Sequence, residues 1–217
     1  YSDVISSQQA GQLLKTSRVF GVPAASLTWG ISGAAKGDVE MGIKGELATA
    51  EVLDPYVTRR RDMTVFHSVS WPGGVQGDTD HILLSGLNVI IVDSKRWKKK
   101  RKYSVTPRGA IMRGSVRFPE GKVKIIHAIH DWQRNLPRGT KVRGVVCVAQ
   151  KEVYVPYDKN WQVAPFKLVT LENLTDFLDR TVKPSTSEEY AYEPYIAARI
   201  FSRLIKPKPG PERIVFN

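Results

Sequence analysis

Only one cysteine occurs in the 217 residues, so an intrachain disulfide framework is excluded. It falls at Cys147, within the apolar run 145–149, where a thiol reads as a small buried hydrophobe. Equally absent is any apolar stretch near the ~20 residues of a membrane span, and no signal peptide is visible. These absences point to an intracellular, cytoplasmic protein held together by burial of an ordinary core. Negative charge is the other scarcity, and it is local. Residues 94–124 carry 12 Lys and Arg against one acid, Glu120, in a chain whose net charge is +12. The rest of the chain is therefore near neutral. So local an excess suits a polyanionic partner better than a general solubility strategy.

The hydrophobic pattern gives an α/β chain. Residues 1–37 mix Leu13, Leu14, Val19, Phe20 and Trp29 with Ser, Gly and Ala, with a loop over 30–37; they read as an arm or short helices packed on the main domain. A helix is expected over 38–53, capped by Asp38, striped by Ile43, Leu47 and Ala50, and stopped at Asp54-Pro55. Strands follow at 63–69 (alternating), 78–84 and 88–95; residues 89–92 are apolar throughout, as in a strand covered on both faces. The basic stretch 97–118 reads as a projecting hairpin or loop, and 119–136 as a helix. A buried strand at 142–150, a possible partner strand at 152–155, a short strand at 166–170 and a helix from Leu171 complete the main domain at about residue 183. Residues 184–217 hold a last helix, from about Pro194 to Ile205, and a Pro-rich tail. The order predicts a mixed central β-sheet flanked by helices, with a basic insertion.

Gly86-Leu87 is an acceptable two-residue turn with glycine first. Centred there, a hairpin places Leu84 opposite Val89, Ile82 opposite Ile91, and Asp80 opposite Asp93. Opposed β-carbons lie ~4.5–5.5 Å apart, so two carboxylates there repel unless a cation sits between them. Lys95, two residues beyond Asp93, emerges on the same face. Two carboxylates and a lysine at the end of a buried sheet suit Mg2+, with Mn2+ able to substitute.

These residues resemble a known family. Gly42-Ile-Lys-Gly45-Glu46, Gly77-Asp-Thr-Asp80-His81 and Val89-Ile-Ile-Val-Asp93-Ser-Lys95-Arg-Trp97 look like the nuclease-related domain (NERD) family of the PD-(D/E)XK nuclease superfamily, over about residues 40–180. Asp93-Ser94-Lys95 stands where the family has Glu-x-Lys, a substitution that the superfamily signature allows. The resemblance implies a PD-(D/E)XK nuclease-like core and a Mg2+-dependent endonuclease. It adds Glu46 to Asp80 and Asp93 as metal ligands, joins Lys95 to them as catalytic, and makes Gln133 resemble the polar helix residue that completes such sites.

Asp78 is either an acid supporting that site or a turn residue after Gly77. His81 points to the opposite face of its strand from Asp80. His127 and His130 read as packing or phosphate contacts rather than zinc ligands. The cations Arg96, Lys98, Lys99, Lys100, Arg101, Lys102, Arg108, Arg113 and Arg117 form an expected grip on nucleic acid. Trp97 among them, with Tyr103, either stacks on a base or packs the root of the arm. The leading expectation is a DNA nuclease of low sequence specificity, with structure-selective cleavage open. A double-strand break needs a homodimer or two events, and a larger DNA-processing assembly is the other expected association. A non-catalytic nucleic-acid-binding module and an RNA-cleaving enzyme are the alternatives.

Overall fold

The computed structural model describes residues 5–27, 36–72, 77–97, 99–118, 124–156, 164–183 and 185–207. Its centre is a six-stranded mixed sheet in the order β1-β2-β3-β4-β8-β9. The strands are β1 (Val19–Phe20), β2 (Thr64–Ser70), β3 (Asp78–Ser85), β4 (Asn88–Lys95), β8 (Lys141–Val148) and β9 (Phe166–Thr170). β2, β3 and β4 form an antiparallel meander, whereas β4, β8 and β9 run parallel. Three short strands, β5 (Tyr103–Val105), β6 (Ile111–Arg113) and β7 (Val116–Arg117), make a second antiparallel sheet within the β4-to-β8 connection. The basic stretch is thus a small folded insertion. Residues 152–155 touch it: the backbone N–H of Tyr103 donates to the carbonyl of Tyr154 at 2.9 Å.

Helices cover both faces of the main sheet. On one side α2 (Lys36–Arg60) and α4 (Leu174–Thr181) pack Leu53, Val57, Leu174 and Phe177 against Leu83, Ile90, Val92 and Cys147. On the other, α1 (Ser7–Thr16), α3 (Lys124–Asn135) and α5 (Ser187–Phe201) bury Leu14, Trp132, Ile196 and Phe201 with Phe66, Ile82, Val89 and Ile91. The continuous apolar run 89–92 accordingly splits its residues between two cores. The expected alternation at 63–69 is overridden, because residues 64–69 are all buried.

Two helix boundaries depart from expectation. α2 runs through Pro55 rather than ending before it. An internal proline costs a helix ~3 kcal/mol, but Leu53, Tyr56 and Val57 beyond and before it are all buried, and ~1.5–3 kcal/mol for each such side chain offsets the loss. The buried stripe also lies elsewhere: Glu46, Thr49, Ala50 and Leu53 face inward, while Leu47 is 43% exposed. α5 begins at Ser187, not near Pro194. Its start was written in the sequence as a Thr186-x-x-Glu189 capping box, in which each side chain bonds the other residue's backbone N–H. Parts of the expected loop at 30–37, helix start at 119–123 and Pro-rich tail lie outside the described residues.

The β3–β4 hairpin has the expected register, Leu84 opposite Val89 and Ile82 opposite Ile91, joined by Gly86-Leu87. Gly86 has φ +55°, and a β-carbon there would lie 2.5 Å from the β-carbon of Ser185. Gly86→Ala is therefore expected to lower stability by at least about 2 kcal/mol, from the left-handed backbone and the clash together. Urea unfolding at an unchanged slope measures this; an unmoved midpoint would contradict the assigned turn.

Candidate functional site

β3 leaves the ladder just before the acid cluster. Pairing with β4 ends at His81 opposite Val92, so Asp80 and Asp93 are not a directly paired position as the extrapolated register had them. Instead the side chain of Asp80 takes over: its Oδ2 accepts the backbone N–H of Ser94 at 2.6 Å. On the other edge, the β2–β3 register skips the Ser68–Asp80 position, and Ser68 adopts φ +50°. Left-handed backbone at a non-glycine residue costs ~1–2 kcal/mol. Ser68 is fixed by two bonds, donating from Oγ to the carbonyl of Val22 and accepting from the N–H of Ala25. Next to the skipped position, Thr79 accepts from the indole N–H of Trp132 on α3.

A cavity of about 430 Å3 opens at this end of the sheet. Glu46 of α2, Asp78 and Asp80 of β3, Asp93 and Lys95 of β4 and Lys124 of α3 line it. Since α2 and α3 lie on opposite faces, the cavity straddles the strand ends. Asp93 Oδ1 accepts from Lys95 Nζ at 2.7 Å. Glu46 is 5% exposed; the Ala24 backbone bonds its carboxyl, while Oε2 is buried with no hydrogen-bond partner among the described residues.

The electrostatics follow from crowding. Burial first, then Asp80 and Asp78, push the Glu46 carboxyl far above the usual range. Burial and Asp93 do the same to Asp80. Burial alone would lower the Lys95 ammonium, but Asp93, Asp80 and Glu46 more than reverse that and hold it protonated. Hard oxygen donors, a partnerless buried carboxylate oxygen and mutual repulsion are the chemistry a divalent cation relieves. The arrangement is nonetheless no finished cage: among the described residues, no three His, Cys, Asp or Glu side chains are grouped closely enough to hold a metal ion.

Gln133 does not join this site. It lies near the C-terminal end of α3, where its amide donates to the carbonyl of Thr140 and accepts from the N–H of Val142 at the start of β8. Val142 pairs with Val89, at the far end of β4 from Lys95. Gln133 thus ties a loop. Trp97 packs the arm's root, its ring 4.7 Å from Tyr103 and 5.2 Å from Phe118. Arg96 is held by two bonds to the Gln150 side chain, and Arg113 lies over the Phe118 ring. Lys99, Lys100, Arg101, Lys102, Arg108 and Arg117 are exposed, whereas Lys98 lies outside the described residues. His127 and His130 are exposed on α3. Ser94 and Trp71, which also line the cavity, carried no signal of their own in the sequence.

The raised carboxyls have a thermodynamic consequence. Glu46 and Asp80 keep protons in the folded protein that the unfolded chain releases near pH ~4, so the folded state binds more protons above that and loses stability as pH rises. In EDTA, the melting temperature should fall from about pH 5 to about pH 8, and fall less in Glu46→Gln. Scanning calorimetry of both proteins checks this; parallel profiles would mean that Glu46 is not held protonated.

The model of the family described as the nuclease-related domain matches residues 41–149. The match takes in Glu46, Asp80, Asp93, Lys95 and the whole β5–β7 sheet. No curated protein and no solved structure matches the chain. The matched segment is half of the chain, and it supplies four of the six strands of a mixed α/β sheet together with most of the cavity; the chain belongs to the nuclease-related domain family.

Proposed function

We propose that this protein hydrolyses phosphodiester bonds in DNA with the aid of a divalent cation, Mg2+ or Mn2+. The observation that carries this reading is the partnerless, buried Oε2 of Glu46 beside Asp80, in the cavity that Asp93 also lines. Asp80, Asp93 and Glu46 would hold the cation, which supplies a polarised phosphate oxygen and a water of lowered pKa. Lys95 has a narrower role than base. Its ammonium is held protonated chiefly by Asp93, with Asp80 and Glu46 adding to this once ionised, so it donates hydrogen bonds to the attacking water or to charge growing on the phosphate oxygens. For that, Lys95 must turn from Asp93, and its side chain is 40% exposed, which leaves it room.

The adjoining cations place the substrate. Residues 95 and 96 lead straight from the cavity into the β5–β7 sheet, whose lysines and arginines are exposed on the same insertion. Such side chains neutralise phosphates without reading bases, in keeping with low sequence specificity. One cavity cuts one strand, so a double-strand break requires two copies or two events. A second reading, a non-catalytic nucleic-acid-binding module, is favoured by the Lys95–Asp93 ion pair, which neutralises part of the acid cluster by itself.

Supercoiled plasmid incubated with Mg2+ or Mn2+ separates the two. Nicking should occur, stop with EDTA, and fall about 10²–10³-fold in Lys95→Ala; tight binding with no nicking would refute the enzyme. RNA in place of plasmid tests the substrate. For the grip, Lys99→Ala with Lys100→Ala should flatten the dependence of log K on log salt by about 2, at roughly 0.9 per phosphate contact. An unchanged slope in filter binding would remove the arm from the interface.

A further inference from the structure

Beneath α2 lies a buried polar chain that the cavity chemistry does not use. His67 and His81 face each other on β2 and β3, both fully buried, with their Nδ1 atoms 2.8 Å apart. His67 Nε2 lies 2.9 Å from Oδ1 of Asp54, whose side chain is 38% exposed. His81 Nε2 lies 3.1 Å from Ser94 Oγ. Ser94 Oγ donates to Thr49 Oγ1 at 2.9 Å, and Thr49 Oγ1 donates to the carbonyl of Gly45 at 3.0 Å. The chain therefore runs from the open end of Asp54 to the residue between Asp93 and Lys95.

Counting hydrogens fixes its direction. Because Thr49 gives its hydrogen to Gly45 and Ser94 gives its own to Thr49, His81 Nε2 must donate to Ser94. One hydrogen then bridges the two Nδ1 atoms, and it belongs to His67, the ring that touches the Asp54 carboxylate, which leaves His81 Nδ1 as the acceptor. His67 Nε2 donates in turn to the carboxylate of Asp54, so His67 carries a hydrogen on both nitrogens.

We propose that His67 and His81 are positioning residues, a one-way hydrogen-bonded strut from Asp54 that anchors Ser94 and thereby aims Asp93 and Lys95 into the cavity. Strand alternation is the lever: with the Ser94 side chain pulled toward α2, its two neighbours must point to the other face. The same anchoring holds the Ser94 N–H on Asp80. Naming Asp93 and Lys95 as the groups aimed rests on the proposed nuclease reading; the strut itself does not.

Nitrogen-15 spectra of the histidines in the metal-free protein test the strut directly. His67 should be protonated at both nitrogens and His81 at Nε2 alone. Asp54→Asn, at a partly exposed position, should remove one hydrogen from His67 and measurably speed exchange of the Ser94 amide. His81→Leu should do the same, while His81→Gln, which can still donate to Ser94 and accept from His67, should restore slow exchange. An unprotonated nitrogen on His67 in the unaltered protein, or unchanged Ser94 exchange in Asp54→Asn, would overturn the proposal. Should His81→Leu fail to fold, Asp54→Asn decides alone. In plasmid nicking, Asp54→Asn should lower kcat about tenfold at unchanged KM. A protein with the predicted spectra that never nicks DNA would refute the nuclease reading and leave the strut standing.

Discussion

One hydrogen bond organises the cavity: the N–H of Ser94 donating to the carboxylate of Asp80. In a regular hairpin that N–H would serve the ladder, and β3 would carry on alongside β4. Here a side chain substitutes for backbone, so β3 is free to turn away while β4 continues parallel to β8 as far as Lys95. The gap so made between two hydrogen-bonded neighbours is where the cavity sits. Ser68 on β2 stores the matching kink in a left-handed backbone, and such strain persists only where its surroundings fix it.

The same departure concentrates charge. Glu46, Asp78, Asp80 and Asp93 border a space also lined by Lys95, Arg96 and Lys124, of which Lys95 is ion-paired to one of the acids, Asp93. A core gains nothing from carboxylates it cannot pair, and a protein selected for stability alone would replace them with apolar groups. Raised carboxyls crowded at the end of a sheet are an arrangement that functional sites share with structural ion-pair networks. Membership of the nuclease-related domain family agrees with the functional-site reading of the charge.

The hairpin was legible because three independent signals coincided: a glycine-first turn, apolar residues at matched distances from it, and acids at the end. Register followed from arithmetic. Where the ladder would stop was not legible, since a side chain capturing a backbone N–H leaves no periodic trace. Glu46 came from family likeness, and it lies in the buried stripe itself rather than beside it. Helix phase fails when polar residues occupy inward positions, and Glu46 and Thr49 do so here. Gln133 shows the opposite error. Its residue type suited a site, but α3 carries it too far along the sheet, and helix length alone could have warned of that. The strut through His67 was invisible for a third reason: its members are far apart in sequence and meet only through sheet order.

The placement of the β5–β7 sheet has an evolutionary corollary. It is inserted in the crossover between two adjacent parallel strands and closed at its base by Trp97, Tyr103 and Phe118. Beyond that aromatic seal, β7 and the loops carry exposed side chains that support nothing in the main sheet. The insertion can therefore be lengthened, recharged or reshaped by mutation while the acid-bearing strands keep their fold. The exposed rim of the insertion and the acid-bearing strands can drift on separate schedules, with Lys95 and Arg96 leading from one toward the other.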